Sequence, residues 1–183
     1  MMSWNQAVLG RQVAVEAAAA PAAMDSSQFA AFYERSARSL WAYLVRCSGD
    51  PALAEDLMQE AYVRFLGATP PTDGELAARK YLFRIASNLL RDHWRRPKTS
   101  SLEELPENFF ATCANAEELA AQQQLARAMA KLRPRDQQIL WLAHAENYSH
   151  REIAEIMGLA TPSIRILLFR ARSRMRRLME GSR

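Results

Sequence analysis

The sequence predicts an all-α fold of two small helical domains joined by a flexible acidic linker, the second a four-helix domain that contains a helix-turn-helix. Three observations carry that expectation. Apolar residues recur at helical spacing over long stretches, without the sustained alternation a half-buried strand needs. Only six glycines occur in 183 residues, few for the many tight turns of a β fold. Charge is segregated: residues 79–98 hold seven bases against one acid, 99–126 five acids and no base, and 164–183 seven bases against one acid. The net charge of +4 is too small to name a partner, but two basic blocks separated by an acidic one point to two distinct polyanion-facing surfaces.

The elements follow in order. Residues 1–25 are an Ala/Val/Gln-rich segment without a helical apolar stripe, read as a disordered tail, and Met24 is a candidate start. From Ser27, the residues Phe29, Phe32, Tyr33, Leu40, Trp41, Leu44 and Val45 make one wide face of a first helix. Asp50 followed by Pro51 reads as an N-cap with proline at the first helical position, opening a second helix through Leu53, Leu57, Ala61, Tyr62 and Phe65 to about Gly67. Two prolines and Asp73-Gly74 mark Ala68 to Gly74 as a loop.

A third helix spans about Glu75 to Arg95, with Ala78, Leu82, Ile85, Ala86, Leu89 and His93 as its buried stripe. Steps of three and four residues place Lys80, Arg84, Asn88, Arg91 and Arg95 along one side of it, ending in Trp94-Arg95-Arg96. Such a ridge is either a solvated face or a track for nucleic acid, and the aromatic beside the cations favours the second. Pro97 ends the helix, and residues 97–114 lack periodicity and carry Glu103, Glu104 and Glu107, as a linker would. Further helices are expected over about 115–132, with Leu119, Leu125, Met129 and Leu132 inward, and from Pro134, with Ile139, Leu140, Leu142 and Ala143 inward.

Ser149-His150-Arg151-Glu152 fits a capping box. Behind it Ile153, Ala154, Ile156 and Met157 face inward, and Gly158 supplies a left-handed turn. Thr161 then caps, and Pro162 opens, a last helix with Ile164, Leu167, Leu168, Ala171, Met175 and Leu178 on its inner face. Helix, tight glycine turn, helix is helix-turn-helix spacing, and Arg165, Arg170, Arg172, Arg174, Arg176 and Arg177 supply the charge that phosphate contact requires. The plain alternative is an α-hairpin with a solvated Arg-rich helix.

At these residues the chain resembles bacterial RNA polymerase sigma factors of the sigma-70 family. Ser149 to Arg172 resembles the carboxy-terminal region that reads the −35 element. Asp56-Leu57-Met58-Gln59-Glu60-Ala61-Tyr62-Val63-Arg64 is similar to the segment that docks on core polymerase. Tyr81 to Asn88, with Asp92 and Arg95-Arg96, is similar to the segment that meets the −10 element. Nothing resembling the large middle domains or the amino-terminal region of primary sigma factors is present, so the resemblance is to the compact extracytoplasmic-function type. It implies region 2 over 26–96, the linker over 97–114 and region 4 over 115–183. It further implies core RNA polymerase, promoter DNA and an anti-sigma factor as partners, with no cofactor and no catalysis by the chain itself. By the same resemblance Asp56, Gln59 and Glu60 would dock on polymerase. Lys80, Arg84, Asn88, Arg91, Arg95 and Arg96 would meet −10 DNA, and Pro162, Ser163, Arg165, Ile166, Phe169 and Arg170 would meet −35 DNA. Three departures stand out: Tyr81 stands where Trp is frequent, Pro162 replaces a commonly small residue, and Ile166, Leu167 and Phe169 replace a more polar run on the reading helix.

Other classes fare worse. A one-component helix-turn-helix regulator would account for residues 149–178 but not for Asp56 to Arg64 or the basic ridge. No nucleophile triad, phosphate-binding glycine loop or metal constellation is recognisable, and His93 and His150 read more simply as a packed residue and a helix-start residue. Cys47 and Cys113 lie far apart without CxxC spacing, which fits neither a disulfide framework nor a zinc site and suits a reducing, cytoplasmic setting. Cys47 reads as an apolar filler rather than a redox sensor. No run of about 18 apolar residues suggests a membrane span, and the Ala14 to Ala23 stretch lacks the basic and Leu-rich parts of a secretion signal.

Overall fold

The computed structural model describes residues 24–68, 74–95 and 116–180, with the backbone alone over 116–120. These residues form seven helices and no strand: α1 (Ser26–Ser48), α2 (Pro51–Gly67), α3 (Glu75–Arg95), α4 (Ala116–Ala130), α5 (Pro134–His144), α6 (His150–Met157) and α7 (Thr161–Glu180). Residues 1–23, 69–73, the linker expected over 97–114 and Arg96 lie outside the described residues.

Local chemistry sets the boundaries. Asp25 accepts from the Gln28 amide at 2.8 Å while the Gln28 side chain accepts from the Asp25 amide, a capping box that starts α1 one residue before the expected Ser27. Met24 packs against the core, so both residues that close the expected tail belong to the fold. Gly49, at φ 74°, ends α1 in the left-handed region. Asp50 accepts from the Leu53 amide at 3.0 Å, with Pro51 at the head of α2. The Ser149–Glu152 capping box and Gly158, at φ 64°, bound α6 as expected. Thr161 is itself helical rather than the cap of α7, a difference of one residue.

Helices α1, α2 and α3 pack together as one bundle. Leu40, Leu44, Leu57, Ala61, Phe65, Leu82, Ile85 and Leu89 fill it, and Phe32 and Phe65 stack with centroids 5.0 Å apart. Helices α4 to α7 form a second bundle around Leu132, Ile139, Leu142, Ile153, Ile156, Ile164 and Leu168. Two expected core positions are solvent-facing: Leu125 is half exposed, and Tyr33 lies at the surface against the Tyr62 ring, 4.8 Å between centroids. Leu119 lies among the residues whose side chains are not described. His93 is half-buried.

The two bundles pack on each other. α3 lies against α6 and α1 against α5, so the buried apolar residues form one continuous cluster. This explains burial that the helical wheels did not expect. Tyr43 on α1, Phe83, Ser87 and Leu90 on α3, and Gln138 on α5 are all buried because a second surface covers α1 and α3. Among the described residues no helix is long and apolar enough to cross a membrane.

Candidate polymerase- and promoter-facing surfaces

The acidic face of α2 is built by helical spacing. Leu57, Ala61 and Phe65 anchor the helix inward, which turns Asp56, Gln59 and Glu60 to solvent on one side. Glu60 pairs with Arg64 at 2.7 Å, both half exposed, a contact of small energetic weight. Val63, 65% exposed, continues the same face at the i+4 and i+3 positions from Gln59 and Glu60, and Leu66 is exposed one turn further. Sequence reading missed both, since they sit within an apolar run and only the packing shows that they point outward. The face therefore sets a polar head beside an apolar strip, a composition also found in protein-binding faces.

The basic ridge on α3 is split by the structure. Arg84, Asn88 and Arg95 stand exposed. The Arg84 guanidinium lies over the Tyr81 ring, 5.0 Å from its centroid, so a cation and an aromatic share one platform. Arg95 reaches Asp92 at 3.1 Å within the same helix. Lys80, partly buried, and Arg91, itself exposed, also reach across to the second bundle. Lys80 Nζ meets Glu155 at 3.0 Å, and Arg91 donates to the Met157 carbonyl at the end of α6 at 3.0 Å.

The helix-turn-helix is α6, the Gly158 turn and α7. Ile164, Leu168 and Ala171 bury one side of α7, which leaves Pro162, Arg165, Ile166, Phe169 and Arg170 exposed and Ser163 partly so. Phe169 is 71% exposed and Ile166 54%, so two apolar side chains lie on the outer side of α7. The arginines divide into two sets. Arg174 pairs with the buried Asp136 carboxylate on α5, and Arg172 lies 3.2 Å from His144 on the same helix. Partial burial and the Arg172 charge push the His144 imidazole below its ordinary range. These two arginines therefore reach α5, Arg172 from an exposed position, whereas Arg165 and Arg170 point outward at the exposed surface.

Two stretches of the chain match family models, residues 32–99 as "Sigma-70 region 2" and residues 122–175 as "Sigma-70, region 4". An RNA polymerase sigma-E factor from Streptomyces antibioticus is 31% identical over 134 residues, which cover 72% of this chain and 73% of that protein. The chain belongs to the sigma-70 family. Among sigma factors of the extracytoplasmic-function type, SigL of Mycobacterium tuberculosis is 28% identical over 152 residues, covering 79% of this chain and 84% of that one. The fold is shared with the sigma factor RpoE of Bartonella quintana, solved in complex with the anti-sigma factor NepR, at a TM-score of 0.67 and 20% identity over 86% of this chain and 99% of that one. This sigma factor thus carries region 2 on α1 to α3 and region 4 on α4 to α7, and its function is to direct RNA polymerase to promoters.

Proposed function

We propose that the work of this sigma factor is divided between residues 26–96, which dock on core polymerase and hold the melted −10 strand, and residues 115–183, which read the −35 element. The observation that supports it most is the coexistence of three solvent-facing surfaces of different chemistry. One is an acidic and apolar face on α2, the second a cation-aromatic platform on α3, and the third a helix-turn-helix whose reading face is flanked by Arg165 and Arg170. An operator-binding regulator uses only the third.

On the first surface, Asp56, Gln59 and Glu60 give polymerase hydrogen-bonding and charged contacts, and Val63 and Leu66 give the apolar centre. On the second, Arg84 and Arg95, with Lys80, Arg91 and Arg96, carry the phosphate charge. Asn88, the amide among them, is the side chain suited to a base edge, and Tyr81 offers a ring face for an unstacked base. On the third, Ser163, Arg165 and Arg170 hydrogen-bond to bases and phosphates. Ile166 and Phe169 make apolar contact of the kind that favours a thymine methyl group, and Pro162 sets the entry of the helix. Core polymerase supplies the chemistry of RNA synthesis, and the chain is a cytoplasmic specificity subunit rather than a catalyst. An anti-sigma factor is a fitting antagonist, in keeping with the complex formed by its structural neighbour.

DNase footprinting of one responsive promoter separates this reading from the operator-binding one. Protection over both −10 and −35 only when core polymerase is added supports it. Strong protection by the chain alone, at a single site and unchanged by polymerase, would overturn it.

A further inference from the structure

Region 4 carries a groove apart from its reading face. It lies between α4, α5 and α7, with Arg46 of α1 at its edge, and encloses about 1140 Å³. Its floor is made of Leu125, Met129, Leu140, Trp141, Met175 and Met179, apolar side chains among which the flexible thioethers adapt to an irregular partner. Gln124 donates to the Met179 carbonyl at 3.2 Å and so ties α4 to α7. Leu125, expected inward, is 48% exposed because its side chain opens on this groove. Ile166 and Phe169 take no part in it.

The rim is basic. Arg172 and Arg176 stand exposed one turn apart on α7, and Arg46 lines the same groove, against the single acid Glu180. Arg176 has no ion-pair partner among the described residues, and Arg172 shares only the His144 imidazole. Cations left without carboxylates above an apolar floor suit an acidic peptide with bulky apolar side chains. This chain contains such a peptide. Residues 102–110, Leu-Glu-Glu-Leu-Pro-Glu-Asn-Phe-Phe, interleave three carboxylates with four large apolar side chains and hold no base. They lie outside the described residues and lead into α4 at Ala116. The part of α4 that lines the groove, Gln122 to Ala126, begins about 9 Å along the helix from Ala116. The six residues from Phe110 to Ala116 span up to about 20 Å when extended, so the segment reaches the groove with slack. A tether this short holds it at an effective concentration of about a millimolar, which a separate partner has to exceed.

We propose that residues 102–110 occupy this groove in the free chain, with their leucines and phenylalanines on the Met-lined floor and their carboxylates at Arg172 and Arg176. The acidic linker is then a ligand of region 4 as well as the tether between the two regions. The test uses the full chain with isotope-labelled methionine methyl groups and a nitroxide on Ser101→Cys in a Cys113→Ser background, Cys47 being buried. Because the tether favours the seated state, the Met175 and Met179 methyl resonances should fall to about half or less, while that of Met58 on α2, outside the groove, is retained. Phe109→Ser with Phe110→Ser should restore them, and so should Arg176→Glu, a change at an exposed site. Sharp Met175 and Met179 resonances in the folded chain would overturn the proposal and leave the groove to a separate partner. Broadening indifferent to both changes would overturn it too, as an effect of tether length alone. Broadening in a mixture of nitroxide-bearing unlabelled chains with labelled nitroxide-free chains would make a second copy the occupant, against the proposal.

Discussion

The Gln138 amide donates to the Tyr43 hydroxyl at 2.9 Å, joining two residues 95 positions apart in sequence and seated in different bundles. Tyr43 is fully buried and also shares a hydrogen bond of 2.7 Å with Ser87, so its hydroxyl is satisfied from α3 and α5 at once. Burial pushes its ionisation well above the ordinary tyrosine range. Removing that hydroxyl leaves two buried polar side chains without their partner. Tyr43→Phe should therefore cost about 1–3 kcal/mol in urea unfolding, and a loss below a few tenths would show that these two hydrogen bonds contribute nothing to stability.

The α2 face yields a second prediction. Asp56→Arg with Glu60→Arg should weaken binding to core polymerase by about tenfold or more, near 1.4 kcal/mol, while circular dichroism stays unchanged because both positions are exposed. Val63→Ser should weaken it as well without altering charge. Polymerase affinity unaffected by all three changes would remove α2 from the docking surface.

On α3, cations and amide should behave differently. Arg84→Ala and Arg95→Ala should lower affinity for every promoter variant, each reducing the slope of log affinity against log salt by about 0.7–0.9 for a phosphate contact. Asn88→Ala should leave the slope alone and reduce discrimination among −10 sequences. Equal, sequence-independent losses from all three would mean an undifferentiated basic track.

On α7, Ile166→Ser should change which −35 sequence is preferred, by about 1–3 kcal/mol at the contacted base pair. If promoter preference is untouched, the exposed Ile166 and Phe169 do not read DNA, and a protein partner is the better occupant of the patch.

The α6 cap supplies a pH-dependent prediction. Hydrogen bonds from the Ser149 amide and hydroxyl hold the Glu152 carboxyl below its ordinary range. A depressed folded-state pKa adds stability that is present above the unfolded value and is lost as pH falls through the folded one. Ser149→Ala should cost about 1 kcal/mol at neutral pH and should flatten the acid limb of the stability curve. An unchanged acid limb would show that the Ser149 hydroxyl contributes nothing through Glu152, leaving the amide alone to lower it.

Helix positions, caps and the turn of the helix-turn-helix were legible because each is local. Asp50 with Pro51, Ser149 with Glu152, and Gly158 act within four residues of themselves, and their geometry follows from side-chain chemistry alone. The junction was not legible. Phe83, Ser87 and Gln138 lie off the main apolar stripes of their helices, and only contact with another bundle accounts for their burial. For the same reason a wheel could align Lys80 and Arg91 with Arg84 but could not show that α6 would engage the first two. Val63 and Leu66 failed in the opposite sense, since an apolar residue in an apolar run carries no local sign that it faces outward. Cys47 was legible: it is buried, and burial raises its thiol so that it stays protonated and unreactive.

The most direct test of the account is sequencing of transcript 5′ ends made by core polymerase on genomic DNA with and without this protein. The account predicts a set of start sites that appears only with the protein and shares one pair of motifs centred near −10 and −35, with the −35 motif altered by Ile166→Ser and discrimination at the −10 motif weakened by Asn88→Ala. Start sites that are the same with and without the protein, or that share no upstream motif, would contradict it.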